Sequence, residues 1–409
     1  MNQDDIIVQH LARTPRLRVA MVTETFPPEV NGVAMTLGRM VGGLLARGHS
    51  IQLVRPRQGS ADVASQEEHF QETLAPGVPI PRYGGLRFGL PLQSRLGQIW
   101  GSSRPDLVHV ATEGPLGWSA VAAARKLKLP VTSGFHTNFD HYSRHYGFGW
   151  LKKPVAGYLK RFHNRTAATF VPTAEMARDL GGQGYTNLQV LARGVDRQLF
   201  DPARRSEALR QEWQVAPEQL AVLVVSRLAP EKNLHLALRA FQAIREVRPD
   251  ARLILVGDGP ARKSLSQSWP QAHFAGMRSG EDLASHYASG DLFLFPSLTE
   301  TFGNVTLEAM SSGLPVVAYR SAAAAEVIED GHSGLLAEPG REQDFIAAAR
   351  RLAADPALRH RLGRAARERV EPIDWECIHD RLESAFFHIV RRHQRLPGQE
   401  NHFLQIVPD

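Results

Sequence analysis

Along most of the chain, apolar residues come in short runs of four to six. Each run ends at a break rich in glycine, proline or polar residues, and a longer stretch with apolar positions three and four apart follows. Short runs of this kind are the pattern of strands buried on both faces, and the longer stretches are the pattern of the helices that cover them. The pattern predicts strands over 18–22, 51–54, 106–110, 130–135, 168–171 and 188–191. It predicts helices from about Val33 to Ala46, through Arg125, and from a cap at Thr173 to Gly181 and Gly182. After the segment ARGVDRQLFDP (192–202) come strands over 221–225, 252–256, 274–276, 291–295 and 316–319. Helices run between them to about Val247, around Asp282 to Ala288 and from Asn304. Residues 58–80 read as irregular and polar, 83–91 as a glycine-rich loop, and the chain from Trp375 to Arg395 as a helix. Strand and helix alternate, so the fold class is α/β, built of two doubly wound, Rossmann-like halves that are alike in architecture but not in sequence.

In such sheets ligands gather beyond the carboxyl ends of the strands, so the residues there carry the chemistry. The loop after the first strand is not GxGxxG, but it places Asn31-Gly32 at a helix start, where a glycine lets backbone approach a phosphate or merely makes a turn. His136 follows the 130–135 strand. Arg227 and Lys232 lie in SRLAPEKN after the 221–225 strand. Gly257 and Met277 end two further strands. At the last crossing, Glu300 in the loop and Glu308 in the helix enclose Phe302, Gly303, Asn304 and Val305. The helix start there offers unpaired N–H groups to an anion or a sugar oxygen.

A length of 409 residues suggests about two or three domains, at roughly 150 residues each. The expected division is a tail at 1–15, domains at 16–195 and 196–372, a closing helix at 373–395 and a tail at 396–409. The net charge of +6 suits phosphate-bearing ligands or an anionic membrane surface, and it is too diffuse to imply nucleic acid. The single cysteine, Cys377, excludes a disulfide framework and a cysteine metal cluster. No signal-peptide core and no run near ~18 apolar residues is present, so a cytoplasmic location is expected. Residues 150–165 mix Lys and Arg with Trp, Tyr, Leu and Phe, as a helix lying on an anionic leaflet would, or one packed on a core with its basic face solvated. His141 and His145 have a metal-compatible spacing but no third ligand pattern beside them, and no Asp-x-Asp occurs.

The Glu-x7-Glu frame around Phe-Gly-Asn-Val, with the Gly32 loop, Phe135-His136-Thr137 and the Arg-x4-Lys of 227–232, resembles glycosyltransferase family 4. The resemblance covers about residues 16–390 and is nearest to bacterial GDP-mannose-dependent α-mannosyltransferases that act on lipids. It implies a GT-B fold: the two halves face each other across a cleft, 192–202 is the hinge, and the last helix crosses back to the first domain. It implies a retaining, metal-independent transfer of a sugar from a nucleotide sugar to a lipid or glycan hydroxyl, with no cofactor beyond that donor, a GDP-sugar before a UDP-sugar. By resemblance His136 and Glu300 meet the transferred sugar and Arg227 and Lys232 clamp the diphosphate. Gly32 and the backbone of 302–304 approach the phosphate and sugar, Glu308 holds the ribose, and Gly257 and Met277 line the base pocket. A nucleotide-sugar 2-epimerase and a non-catalytic nucleotide-binding scaffold are the rival readings.

Overall fold

The structure, a computed structural model, describes residues 16–29, 31–79, 87–136 and 152–394. The first half holds strands β1 (Arg18–Val22), β2 (Ser50–Pro56), β3 (Phe70–Ala75), β4 (Gly77–Pro79), β5 (Arg87–Gly89), β6 (Leu107–Val110), β7 (Val131–Gly134), β8 (Ala168–Val171) and β9 (Leu188–Val190). Helices α1 (Gly32–Ala46), α2 (Gln93–Ser102), α3 (Pro115–Lys126), α4 (Lys152–His163) and α5 (Ala174–Gly182) alternate with them. All of these strands but β4 and β5 form one parallel sheet, ordered β3-β2-β1-β6-β7-β8-β9.

The second sheet is also parallel, ordered β12-β11-β10-β13-β14-β15. Its strands are β10 (Ala221–Val225), β11 (Arg252–Val256), β12 (His273–Gly276), β13 (Leu292–Phe295), β14 (Val316–Tyr319) and β15 (Leu335–Ala337). The helices are α6 (Glu207–Glu212), α7 (Leu234–Val247), α8 (Arg262–Ser268), α9 (Gly280–Ser289), α10 (Asn304–Ser311), α11 (Ala322–Val327), α12 (Glu342–Ala354), α13 (Pro356–Arg369) and α14 (Trp375–Gln394). Every residue of β10 is buried, and one core lies on each face of this sheet, which is why AVLVV shows no polar alternation.

Each sheet runs outward from its first strand and then returns to that strand's other side. The strand order therefore reverses between β1 and β6 and again between β10 and β13. At such a switch point the two flanking loops diverge and leave a crevice.

Helix α14 returns to the first half. Its Leu382, Phe386, Ile389 and Val390 enter the core beneath the first sheet, with Leu37, Met40 and Leu44 of α1. His49 fixes the docking. Its Nδ1 accepts from the Leu17 N–H at 2.9 Å, which leaves Nε2 to donate to Glu383 at 2.8 Å.

Two sequence expectations are corrected. Residues 58–80 are not all irregular: β3 is the edge strand of the first sheet, and β4 pairs antiparallel with β5. The polar Gln71 and Glu72 interrupt the apolar pattern of β3, but Glu72 is buried against Arg55 with its carboxylate 2.8 Å from Nε, so the polarity is internal pairing rather than loop. The loop expected at 83–91 gives way to strand at Arg87–Gly89, while 83–86 lies outside the described residues. Between Tyr319 and Trp375, where the pattern singles out no element, α11, β15, α12 and α13 complete the second half.

Candidate functional site

The crevice of the second sheet brings together the loops after β10 and β13. Asn233 takes a left-handed conformation at the end of the first loop, and its side-chain amide donates to the Pro296 carbonyl at 3.3 Å. The Thr299 hydroxyl donates to the Glu231 carbonyl at 3.2 Å. These ties place the Lys232 ammonium 2.5 Å from Glu300 Oε1, both side chains being mostly buried. Arg227 is more open, with its guanidinium 3.7 Å from the buried carboxylate of Glu231.

Glu300 leads into α10. Gly303 stands before the helix at φ 92°, a backbone that residues with a Cβ rarely adopt, and this turns the chain from the loop after β13 into α10. Phe302 is buried in the core, whereas Asn304 and Val305 are partly open. One turn on, Glu308 Oε2 accepts a 2.9 Å hydrogen bond from the hydroxyl of Tyr287 on α9. Burial raises the Glu308 carboxyl to about 7, against the pull of that bond. Tyr287 is fully buried, and burial together with the Glu308 charge pushes its hydroxyl well above the usual range.

The first half contributes from the opposite side. Asn31 caps α1 by accepting from the N–H groups of Val33 and Ala34, which leaves Gly32 exposed at the helix start. His136 follows β7, with its ring folded over Gly134: a Cβ there would lie 2.3 Å from Nε2. Neither ring nitrogen of His136 has a hydrogen-bond partner among the described residues, and both are shut off from solvent. Burial first, then the Arg193 charge, keeps this imidazole well below its ordinary pKa, so it is neutral at pH 7.

Arg193 is the group that pattern reasoning missed. It sits in the 192–202 segment, 6% exposed, with its guanidinium 5.6 Å over the Phe302 ring and 3.4 Å from Asn304 Oδ1. Burial lowers it to about 10, and Glu300 opposes that shift. Arg193 therefore links His136 and Gly32 of one half to Glu300, Phe302 and Asn304 of the other. Tyr287 was missed too, since an aromatic on the apolar face of a helix looks like core.

Gly257 has φ 128°, and a Cβ there would lie 1.9 Å from the Ser226 carbonyl, so this glycine lets the loops after β10 and β11 touch. Met277 is 57% exposed beyond β12. Among the described residues no group of three or more His, Cys, Asp or Glu side chains is placed to hold a metal, and His141 and His145 lie outside those residues. Of 150–165, the described part is α4 with the residues just after it; Tyr158 is exposed there. Among the described residues no helix is long and apolar enough to cross a membrane.

Residues 30–199 match the family description "Glycosyltransferase Family 4" and residues 205–369 match "Glycosyl transferases group 1". The chain is 33% identical over 384 residues to a GDP-mannose-dependent alpha-mannosyltransferase of Corynebacterium glutamicum, covering 93% of this chain and 91% of that one. It is 34% identical over 379 residues to the sulfoquinovosyl transferase SQD2 of Arabidopsis thaliana, covering 90% and 72%. In fold it is similar to Anabaena HepE, solved in complex with UDP and glucose, with a TM-score of 0.71 at 21% identity over 91% of this chain and all of the other. The architecture is GT-B.

Proposed function

The chain belongs to glycosyltransferase family 4, and we propose that it moves a mannosyl group from GDP-mannose to a hydroxyl of a lipid or glycan, with retention of configuration and without a metal. That it transfers a sugar from a nucleotide sugar follows from the family; donor, stereochemistry and acceptor are our reading. The observation that carries it is the meeting of Lys232, Glu300 and the α10 helix start at one sheet crevice, with Glu308 one turn further on. Mannose and guanosine are favoured by the relative from Corynebacterium glutamicum, while HepE, solved with UDP, keeps a UDP-sugar in view and SQD2 a sugar other than mannose.

In this reading the diphosphate lies across the N-terminal end of α10 with Arg227 and Lys232 on it, and Gly32 approaches from the first half. Glu308 accepts hydrogen bonds from the ribose hydroxyls, while Gly257 and Met277 flank the base. Glu300 and His136 address the transferred sugar. The bond from the anomeric carbon to the diphosphate breaks, and its electron pair stays on the phosphate oxygen. The acceptor oxygen bonds to the same face of that carbon, and its proton passes to the departing phosphate. Cations aimed at that oxygen stabilise the transition state more than the ground state. The acceptor lies on the first half, and the basic α4 supports contact with an anionic inner leaflet from the cytoplasmic side.

The test is a thermal-shift screen of nucleotides and nucleotide sugars, followed by transfer to membrane lipids with chelator present and NMR of the product's anomeric proton. Stabilisation by GDP-mannose and an α-product in chelator are expected. Loss of turnover in chelator, a β-product, or an epimer formed without acceptor would overturn the reading. A response to a UDP-sugar alone would move the donor assignment.

A further inference from the structure

Arg193 is held where it is by the two passes of the chain between the halves. The Val195 N–H donates to the Ile373 carbonyl at 3.0 Å, and at Gly194 a Cβ would lie 2.6 Å from the Trp375 nitrogen, so the outgoing and returning segments touch beside the arginine. Such close backbone contact leaves the guanidinium little freedom to relocate. Yet among the described residues it makes one hydrogen bond, 3.4 Å long, and no ion pair. A guanidinium has five donors in a fixed fork, and the Arg193 nitrogens without a protein partner are not among those sealed from solvent, so they are open to a ligand. Its surroundings add positive potential. The start of α1 is on one side, where a Cβ on Gly32 would lie 3.9 Å from Nη1. The start of α10 is on the other. The neutral, unpartnered His136 ring is near enough to feel the Arg193 charge and offers it no compensation. Such a place is completed by an oxyanion.

We propose that Arg193 is a third cation of the donor site and that its guanidinium binds the sugar-bearing phosphate of the nucleotide sugar. The inference rests on the nucleotide-sugar reading above. The choice of phosphate follows from the neighbours: Arg193 lies with Glu300 and His136, the groups assigned to the sugar. When the anomeric C–O bond breaks, the electron pair remains on that phosphate, and a fork already aimed there takes the charge without reorganising. Because the arginine belongs to the segment joining the halves, donor binding and the approach of the first half are coupled through one side chain.

Titration calorimetry of GDP against GMP, and of UDP against UMP, on wild type, Arg193→Gln and Arg193→Lys separates a phosphate ligand from an interdomain prop. The expected result is that R193Q weakens the preferred diphosphate at least tenfold and its monophosphate less than threefold, that transfer falls about 10²-fold, and that R193K recovers part of the diphosphate affinity. Equal losses for diphosphate and monophosphate, or no loss for either, would overturn the proposal. If R193Q does not fold, the diphosphate-to-monophosphate ratio in R193K decides alone: an unchanged ratio overturns the proposal and a lowered ratio supports it. Failure of wild type to bind either diphosphate refutes the nucleotide-sugar reading and this inference with it.

Discussion

Lys232 Nζ stands 2.5 Å from Glu300 Oε1, joining the loops after two neighbouring strands, β10 and β13, that are far apart in sequence. The carboxylate offsets the ammonium that a diphosphate would use, so the donor's phosphate and Glu300 compete for one cation. Glu300→Gln should therefore hold or strengthen affinity for the nucleoside diphosphate while lowering transfer. Lys232→Ala should weaken the diphosphate and cost about 10²-fold or more in kcat/KM. Calorimetry and initial rates measure the two effects separately. Parallel losses of affinity in both variants would contradict the competition.

Glu308 gives a pH prediction. Its folded-state pKa is raised from 4.5 to about 7, so the folded protein holds a proton that the unfolded chain releases. The stability it contributes is fully present below about 4.5 and is lost as pH rises through 7. Glu308→Gln should match wild type in acid and exceed it above pH 7, by about 3 kcal/mol at most, at about 1.4 kcal/mol for each tenfold change in the proton equilibrium. Nucleotide affinity runs the other way, because ribose hydroxyls need the ionised acceptor: it should rise in wild type between pH 6 and 8 and stay flat in E308Q. Denaturant curves and calorimetry across that range check both trends. Glu24 is also raised to about 7, chiefly by burial, so Glu24→Gln is the control for the stability arm.

Gly134 is where the His136 ring rests. Gly134→Ala puts a methyl 2.3 Å from Nε2, and the ring must swing away. Transfer should fall at least tenfold while nucleoside diphosphate affinity, set mainly in the second half, stays within about threefold. His136→Ala should show the same split. A G134A enzyme with wild-type turnover would remove His136 from the reaction.

Removing Arg193 should raise the His136 pKa, because that charge is one of the groups holding it down; burial is the larger cause and stays. Histidine NMR titration of R193Q should show one imidazole titrating at higher pH than in wild type, and that resonance should vanish in R193Q/H136N.

Phe386 is fully buried where α14 docks on the first half. Phe386→Ala should destabilise the protein by about 3–5 kcal/mol through lost burial and a cavity. Denaturant unfolding measures it, and a loss below about 1 kcal/mol would mean that α14 is not integral to that core.

The alternation of apolar runs and amphipathic stretches settled the α/β class and located most strands within a residue or two, because a strand covered on both faces has no alternative to a continuous apolar run. Where burial is achieved by pairing charges, as for Glu72 with Arg55 in edge strand β3, the same pattern failed, since composition does not tell a paired carboxylate from a solvated one. The sequence also pointed to Glu300, Lys232, Glu308, Arg227 and His136 as separate candidates at strand ends. Their assembly was decided by strand order: β10 lies beside β13, so Lys232 meets Glu300, and α9 packs on α10, so Tyr287 meets Glu308. Arg193 could not have been singled out beforehand. Its significance lies in being buried, nearly unpaired, and placed between two helix starts from different halves, and long-range contact alone creates that situation.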